Sequence, residues 1–201
     1  MIGLCSQYRM GKDTVCDMMQ TFGTFHKRSF GMQLKRLLSE TFDISLDEIE
    51  TFKTSKENHP KLDVHMRVAL QNIGQTFRDI NQNVWVDLAL RNCPENTIFT
   101  DVRHTNEMDA ILNQHGILIL IGRSSHLNND SHPSEKELYP AIKWFLENTV
   151  DNLVIVDSSS LNIPPHLQKF KYFIRNDSTL SVLRNSVDIL MHHIRSQNSS
   201  K

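Results

Sequence analysis

The stretch MIGLCSQYRMGKDTVCDMMQ, Met1 to Gln20, decides the fold. A short apolar run enters a loop that ends in Gly11-Lys12-Asp13-Thr14 and continues into a helical pattern. A strand, a loop and a helix amino terminus in that order aim several backbone N–H groups and the positive end of the helix dipole at one point. Lys12 adds a mobile cation, so the stretch reads as a loop that binds an anion with several phosphates. The usual pattern is G-x-x-x-x-G-K-[ST]; here Ser6 replaces the first glycine and Asp13 the hydroxyl residue. A serine can turn the chain, at some cost if its φ is positive. Thr14 supplies a hydroxyl one residue late, and Asp13 can reach a magnesium ion through oxygen or water. The bland alternative is a Gly-Lys pair placed at a helix start by chance, and the rest of the chain must decide.

Outward from the loop, Thr14 to Phe22 carries apolar residues at helical spacing, with Gly23 placed to end the helix. Phe25 to Phe30 alternates as a short strand, and Met32 to Phe42 reads as a second helix with Lys35 and Arg36 near its start. Cations there oppose the helix dipole, so a solvated surface competes with a Lys35 that faces a substrate phosphate. Asp43 to Leu62 is polar and reads as a mobile connection with one or two helical turns after the S-x-x-E pattern Ser45 to Glu48. A helix is expected from Asp63 to Gly74, then Gln75 to Arg78, then a further helix from Asn83 to Arg91. Trp85 in that helix reads as packing.

Thr97 to Thr100 and Ile117 to Ile121 are fully apolar β-rich runs separated by a short helix, about Asn106 to His115. Such runs mark a parallel sheet buried on both faces, so functional residues should sit just past the strand carboxyl ends, where Asp101, Arg103 and Arg123 fall. Pro133 to Asn148 looks helical, with Pro140 expected to kink or split it. Leu153 to Val156 and Phe170 to Ile174 are two more strands, Ser178 to Ile194 a last helix, and about 195–201 a disordered tail. The fold expected is α/β: a central, mostly parallel sheet with helices on both faces. One domain over 1–201 is expected, with a helical acceptor-binding region at about 43–93 and a lid-like segment at about 123–148.

The 201 residues suffice for one well-buried core, and a net charge of −1 gives no basic field for holding nucleic acid. Three widely spaced cysteines, Cys5, Cys16 and Cys93, suggest neither a zinc knuckle nor a disulfide framework and fit a reducing cytoplasm. No run approaches membrane length, so neither secretion nor membrane insertion is expected. Ten histidines lack ligand spacing, and His132 and His126 read as ordinary.

Four segments together resemble the phage-type deoxynucleoside monophosphate kinases: Gly11-Lys-Asp-Thr14, Leu70-Gln-Asn-Ile-Gly-Gln-Thr-Phe-Arg78, Thr100-Asp-Val-Arg-His-Thr-Asn-Glu107 and His132-Pro-Ser-Glu135. Their order matches as well, and Phe170 to Leu180 is similar to that family's last strand and helix. Ser6 departs from the pattern, and about Glu137 to Gln168 is longer than the resemblance implies, as an inserted strand and loop. The resemblance implies a P-loop kinase fold and transfer of the ATP γ-phosphoryl group to a deoxynucleoside monophosphate, with magnesium.

It implies Arg9, Met10, Gly11, Lys12, Asp13 and Thr14 for ATP. Lys35, Arg67, Gln71, Arg78, Asp101 and Arg103 would serve the acceptor, and Asp13 and Asp101 the metal. Lys12, Arg103, Arg123 and Asp101 would be catalytic, with His132, Ser134 and Glu135 in a lid. Glu107 and Asn106 would fix the Arg103 loop by hydrogen bonds. For each arginine alone, a surface ion pair is the commoner explanation. Expected partners are ATP and the monophosphate, with no nucleic acid or membrane; a homodimer is one expectation, and a viral origin in a host cytoplasm another. The rival readings are another small-molecule P-loop kinase, phosphomevalonate- or dephospho-coenzyme-A-kinase-like, and a nucleotide-binding module without turnover.

Overall fold

The computed structural model describes residues 1–128, 136–156 and 163–198. They form two compact units, one of Met1–Arg28 with Pro94 onward, the other of Ser29–Cys93.

The first unit is built on a six-stranded sheet. Its strands are β1 (Ile2–Cys5), β2 (His26–Arg28), β3 (Thr97–Val102), β4 (Ile117–Gly122), β5 (Leu153–Ile155) and β6 (Phe170–Arg175), in the spatial order β2-β3-β1-β4-β6-β5. All neighbours are parallel except β5, which runs antiparallel to β6 at the edge. β1 is buried along its whole length, and β3 and β4 nearly so. This is why they read as unbroken apolar runs rather than alternating ones.

The chain leaves β1 through α1 (Lys12–Gln20) toward β2, and leaves β3 through α6 (Thr105–Asn113) toward β4 in the opposite direction. With right-handed crossovers, opposite directions put α1 and α6 on opposite faces. The last helix, α8 (Leu180–Asn198), packs beside α1, and α7 (Tyr139–Asn148) packs on β4.

Two expectations are corrected here and one is narrowed. Pro140 lies in the first turn of α7, where its missing N–H costs nothing; Lys136 is helical and 137–138 form a turn, so the stretch is split ahead of the proline and not kinked at it. α7 buries Ala141, Ile142 and Phe145, with Phe145 stacked on Phe173 at 4.8 Å, so this part of the 123–148 segment is core and not lid. α8 continues through Asn198, so the chain from Arg195 to Asn198 is helical.

The second unit is helical: α2 (Met32–Phe42), α3 (Leu46–Thr54), α4 (Met66–Ile80) and α5 (Val84–Leu90). Leu38, Ile44, Ile49, Met66, Ala69 and Leu70 form its core. The polar stretch after Asp43 is more ordered than expected. Glu48 N donates to Ser45 Oγ at 3.2 Å and Ser45 N donates to Glu48 Oε2 at 2.8 Å, a reciprocal cap that starts the nine residues of α3.

α4 begins at Met66, capped by His65 Nδ1, and runs straight through Gly74, which was expected to end it. A Cβ at Gly74 would lie 3.2 Å from Leu34 Cδ2 and 3.4 Å from Arg78 Nη1. The glycine is there for close packing. It costs about 1 kcal/mol of helix propensity without breaking the helix.

Candidate active site

Cys5, the last residue of β1, is level with Val102 of β3 and Leu120 of β4. The loop after β1, Arg103 and Arg123 therefore leave three adjacent parallel strands at their carboxyl ends, and Asp101 is the penultimate residue of β3. The connections from β1 and β4 run to opposite sides of the sheet, which makes this end the crevice where open α/β sheets bind ligands.

The loop is shaped by two left-handed residues, Arg9 at φ 63° and Gly11 at φ 91°. Ser6 is not among the positive-φ residues, so the serine in place of glycine causes no backbone strain. Its cost is different: its Oγ is buried with no hydrogen-bond partner among the described residues. Gly11 caps α1 with no side-chain hydrogen bond to the first turn, which leaves amino-terminal N–H groups of that helix available to an anion. Met10 is fully buried and anchors the loop, while Arg9 is exposed and lies over the Tyr8 ring at 5.1 Å.

Lys12 Nζ contacts Asp13 Oδ2 at 2.5 Å, and Lys27 Nζ of β2 stands 3.6 Å from Asp13 Oδ1 and 3.3 Å from Asp17. Partial burial works against ionisation of Asp13. The hydrogen bond and charge of Lys12, with Lys27 behind them, outweigh it and hold the carboxyl below the usual aspartate range. Lys27 was not singled out in the sequence: Phe25 to Phe30 read as a strand, but that pattern does not say which of its side chains meets the loop.

Two further side chains tie the loop to parts of the chain far away in sequence. Gln7 pairs twice with the backbone of Asn128, donating from Nε2 to O at 2.6 Å and accepting from N at 3.1 Å. Asn176, just past β6, donates from Nδ2 to Met10 O at 3.0 Å. Beside it, Asp177 accepts from Ser124 N and Oγ, both at 2.6 Å, in the turn after Arg123. The rule that functional residues follow strand carboxyl ends could have found Asn176 and Asp177.

At the end of β3, buried Glu107 accepts from Arg103 N at 2.8 Å and His104 N at 3.1 Å, the bracing role expected of it. Burial pushes its pKa up despite these donors. Glu137 grips the same turn: it pairs with His104 Nδ1 at 2.8 Å and accepts from Thr105 N at 2.6 Å.

Lys35, Arg67, Gln71 and Arg78 belong to the helical unit. Because α4 is unbroken, Arg67, Gln71 and Arg78 fall within one stripe of its surface, at i, i+4 and i+11. The Arg78 guanidinium folds back over the space Gly74 leaves open. Lys35 is engaged by Glu50 of α3. Partial burial would raise the Glu50 pKa, but its bonds to Lys35 and Lys53 lower it. Trp85 is buried and donates from Nε1 to Gly74 O at 3.1 Å, a packing role. His132, Ser134 and Glu135 lie outside the described residues. Among the described residues, no helix is long and apolar enough to cross a membrane.

A parallel sheet with this strand order and a phosphate loop leading from β1 into α1 define a P-loop kinase. No family model matches the chain. A protein of Acanthamoeba polyphaga mimivirus named "Putative deoxynucleotide monophosphate kinase" is 30% identical over 157 residues, 69% of this chain and 81% of that protein. Among solved structures, a dephospho-CoA kinase from Campylobacter jejuni superposes with a TM-score of 0.53 at 12% identity, covering 98% of both chains, a likeness of fold alone. A shikimate kinase from Bacteroides thetaiotaomicron gives a TM-score of 0.40 at 14% identity, over 96% of this chain and 97% of the other. The chain belongs to the deoxynucleotide monophosphate kinase family and is an ATP-dependent phosphotransferase.

Proposed function

We propose that this protein transfers the γ-phosphoryl group of ATP to a deoxynucleoside 5′-monophosphate, giving the diphosphate and ADP, in the cytoplasm of a host cell. The observation that carries the reading is the phosphate loop at the carboxyl end of the central strand, with Gly11 left-handed and Lys12 opening α1. The acceptor class is supported by the name of the viral relative.

The acceptor's second pKa is about 6, so its attacking oxygen is already ionised at neutral pH and no base is required. What the protein must supply is alignment and positive charge. In the α/β unit, the N–H groups of Gly11 and the first turn of α1 cradle the donor phosphates. Lys12 exchanges Asp13 for the β- and γ-phosphates, and Thr14 stands on the α-phosphate side. Arg103 and Arg123 neutralise charge at the transferring group, and Arg9 reaches the γ-phosphate. In the helical unit, the stripe Arg67, Gln71 and Arg78, with Lys35, recognises the acceptor. Arginine suits this because its planar fork meets phosphate with two parallel bonds.

Magnesium fits the donor set. It keeps several waters and takes one or two carboxylates together with substrate phosphates, which Asp13, held ionised by its lysines, and Asp101 can provide. When bound, the ion neutralises phosphate charge.

The test is ADP release from ATP and magnesium with dAMP, dGMP, dCMP, dTMP and dephospho-coenzyme A offered separately, with products identified by chromatography. Diphosphate formed from at least one deoxynucleotide, and none from dephospho-coenzyme A, is the expected result. Turnover with the coenzyme precursor alone overturns the acceptor assignment, and ATP binding without any product points to a binding module.

A further inference from the structure

We infer that Asn176 is a positioning residue for the phosphate loop, acting through the peptide bond between Met10 and Gly11. The inference rests on the reading that this loop holds nucleotide phosphates, and it adds a group that lies 166 residues away in the chain.

Asn176 follows β6 directly. Its backbone N donates to Gly122 O at 2.8 Å, so it is held level with the end of β4. Its side-chain Nδ2 donates to Met10 O at 3.0 Å. Gly11 has φ 91°, and a Cβ built on it would lie 2.3 Å from the same Nδ2. The Asn176 amide therefore occupies the room that only a glycine leaves, and glycine and asparagine are fitted to each other.

The peptide bond is planar and trans, so a carbonyl and the N–H of the next residue point in opposite directions. Fixing Met10 O toward Asn176 turns Gly11 N–H away from β6, and Gly11 N–H is one of the donors that cradle the anion. Without the amide, the peptide plane is free to rotate between the two flexible dihedrals that flank it.

Asn176 is itself held on both sides. Arg175 Nη2 donates to Leu146 O at 2.8 Å and Thr149 O at 2.5 Å, and Arg175 Nη1 meets Asp177 at 3.1 Å. Asp177 in turn holds Ser124 through both of its oxygens. A group tied down in this way can orient a loop because it does not move with it.

The experiment compares the full-length wild type with Asn176→Ala and the isosteric Asn176→Asp. ATP affinity is read by calorimetry without acceptor, KM is read separately for ATP and for the monophosphate, and Tm is recorded. The expected result for Asn176→Ala is ATP binding weaker by about five- to tenfold, the scale of one lost hydrogen bond, with KM for ATP raised in step. The KM for the monophosphate should stay within about twofold, as for a contact made on the donor side only. Asn176→Asp, which sets a carboxylate against the Met10 carbonyl, should lose more while it keeps side-chain volume and fold.

A drop in Tm with ATP affinity unchanged in both variants overturns the inference and leaves Asn176 structural. If the wild type binds ATP but phosphorylates none of the four monophosphates, the acceptor reading falls while the calorimetric comparison still decides this one. A wild type that does not bind ATP overturns both.

Discussion

In the α/β unit the phosphate loop is fixed mainly through its backbone, by the left-handed Gly11 and by the Met10 carbonyl held by Asn176 just past β6, with the Gln7 side chain locked to the backbone of Asn128. In the helical unit Arg67, Gln71 and Arg78 stand along one helix, and the Arg78 guanidinium lies against Gly74. The difference follows from what each unit is proposed to recognise. A triphosphate is the same for every kinase and is met by main-chain donors that no substitution other than proline removes. An acceptor varies between enzymes, and groups on a helix surface can be exchanged one at a time while the core of Leu38, Ile49 and Met66 stays intact.

Four substitutions sharpen or break this contrast. The largest effect is expected from Lys12→Ala, which removes the cation at the junction of the loop and α1. Its kcat should fall by about a hundred- to a thousandfold, with the circular dichroism spectrum unchanged because Lys27 remains beside Asp13. Retention of more than a tenth of wild-type turnover would falsify the loop assignment.

Arg78→Ala should act on the acceptor alone. Loss of a charged hydrogen bond raises KM for the monophosphate by about ten- to a hundredfold and leaves ATP affinity as it was. Equal loss toward both substrates would erase the distinction between the units.

The third effect is on stability in acid. Burial opposes ionisation of Asp177, but the bonds from Ser124 and Arg175 outweigh it, so its folded-state pKa lies below the unfolded value. Its contribution is therefore complete above the ordinary aspartate range, near about 3.8, and is lost as pH falls through the lower folded value. Urea melts of wild type and Asp177→Asn should differ near neutral pH and converge toward pH 2 to 3; a constant gap would mean that the carboxylate's charge is irrelevant.

The smallest is Ser6→Ala. It removes a buried hydroxyl that has no partner among the described residues, and should raise Tm by about 2–4 °C, equivalent to roughly 1 kcal/mol for a chain of this size. A fall in Tm would show that the hydroxyl has a use the fold does not reveal.

Several elements could be read from sequence for physical reasons, and others could not. β1, β3, β4 and β6 were legible because strands buried on both faces carry unbroken apolar runs. The direction of β5 was not, because three residues read the same either way. Gly74 resembled a helix terminator and Pro140 a helix breaker because the local signal is the same in both roles. What separates them is a contact with Leu34 in one case and a place in the first turn in the other. In the candidate site, Gly11 and Lys12 were visible because the geometry they impose is local. Gln7 and Asn176 were not given roles, since their partners stand 121 and 166 residues away.

The position of β6 has a consequence for synthesis. Among the described residues it is the last strand in sequence, yet it lies between β4 and β5, and β5 pairs with no other strand. Until residues 170–175 leave the ribosome, β4 keeps an open edge and β5 has nowhere to dock. The same strand delivers Asn176 to the phosphate loop. A nascent chain that stops short of it therefore lacks two things at once, a paired β4 edge and a set loop.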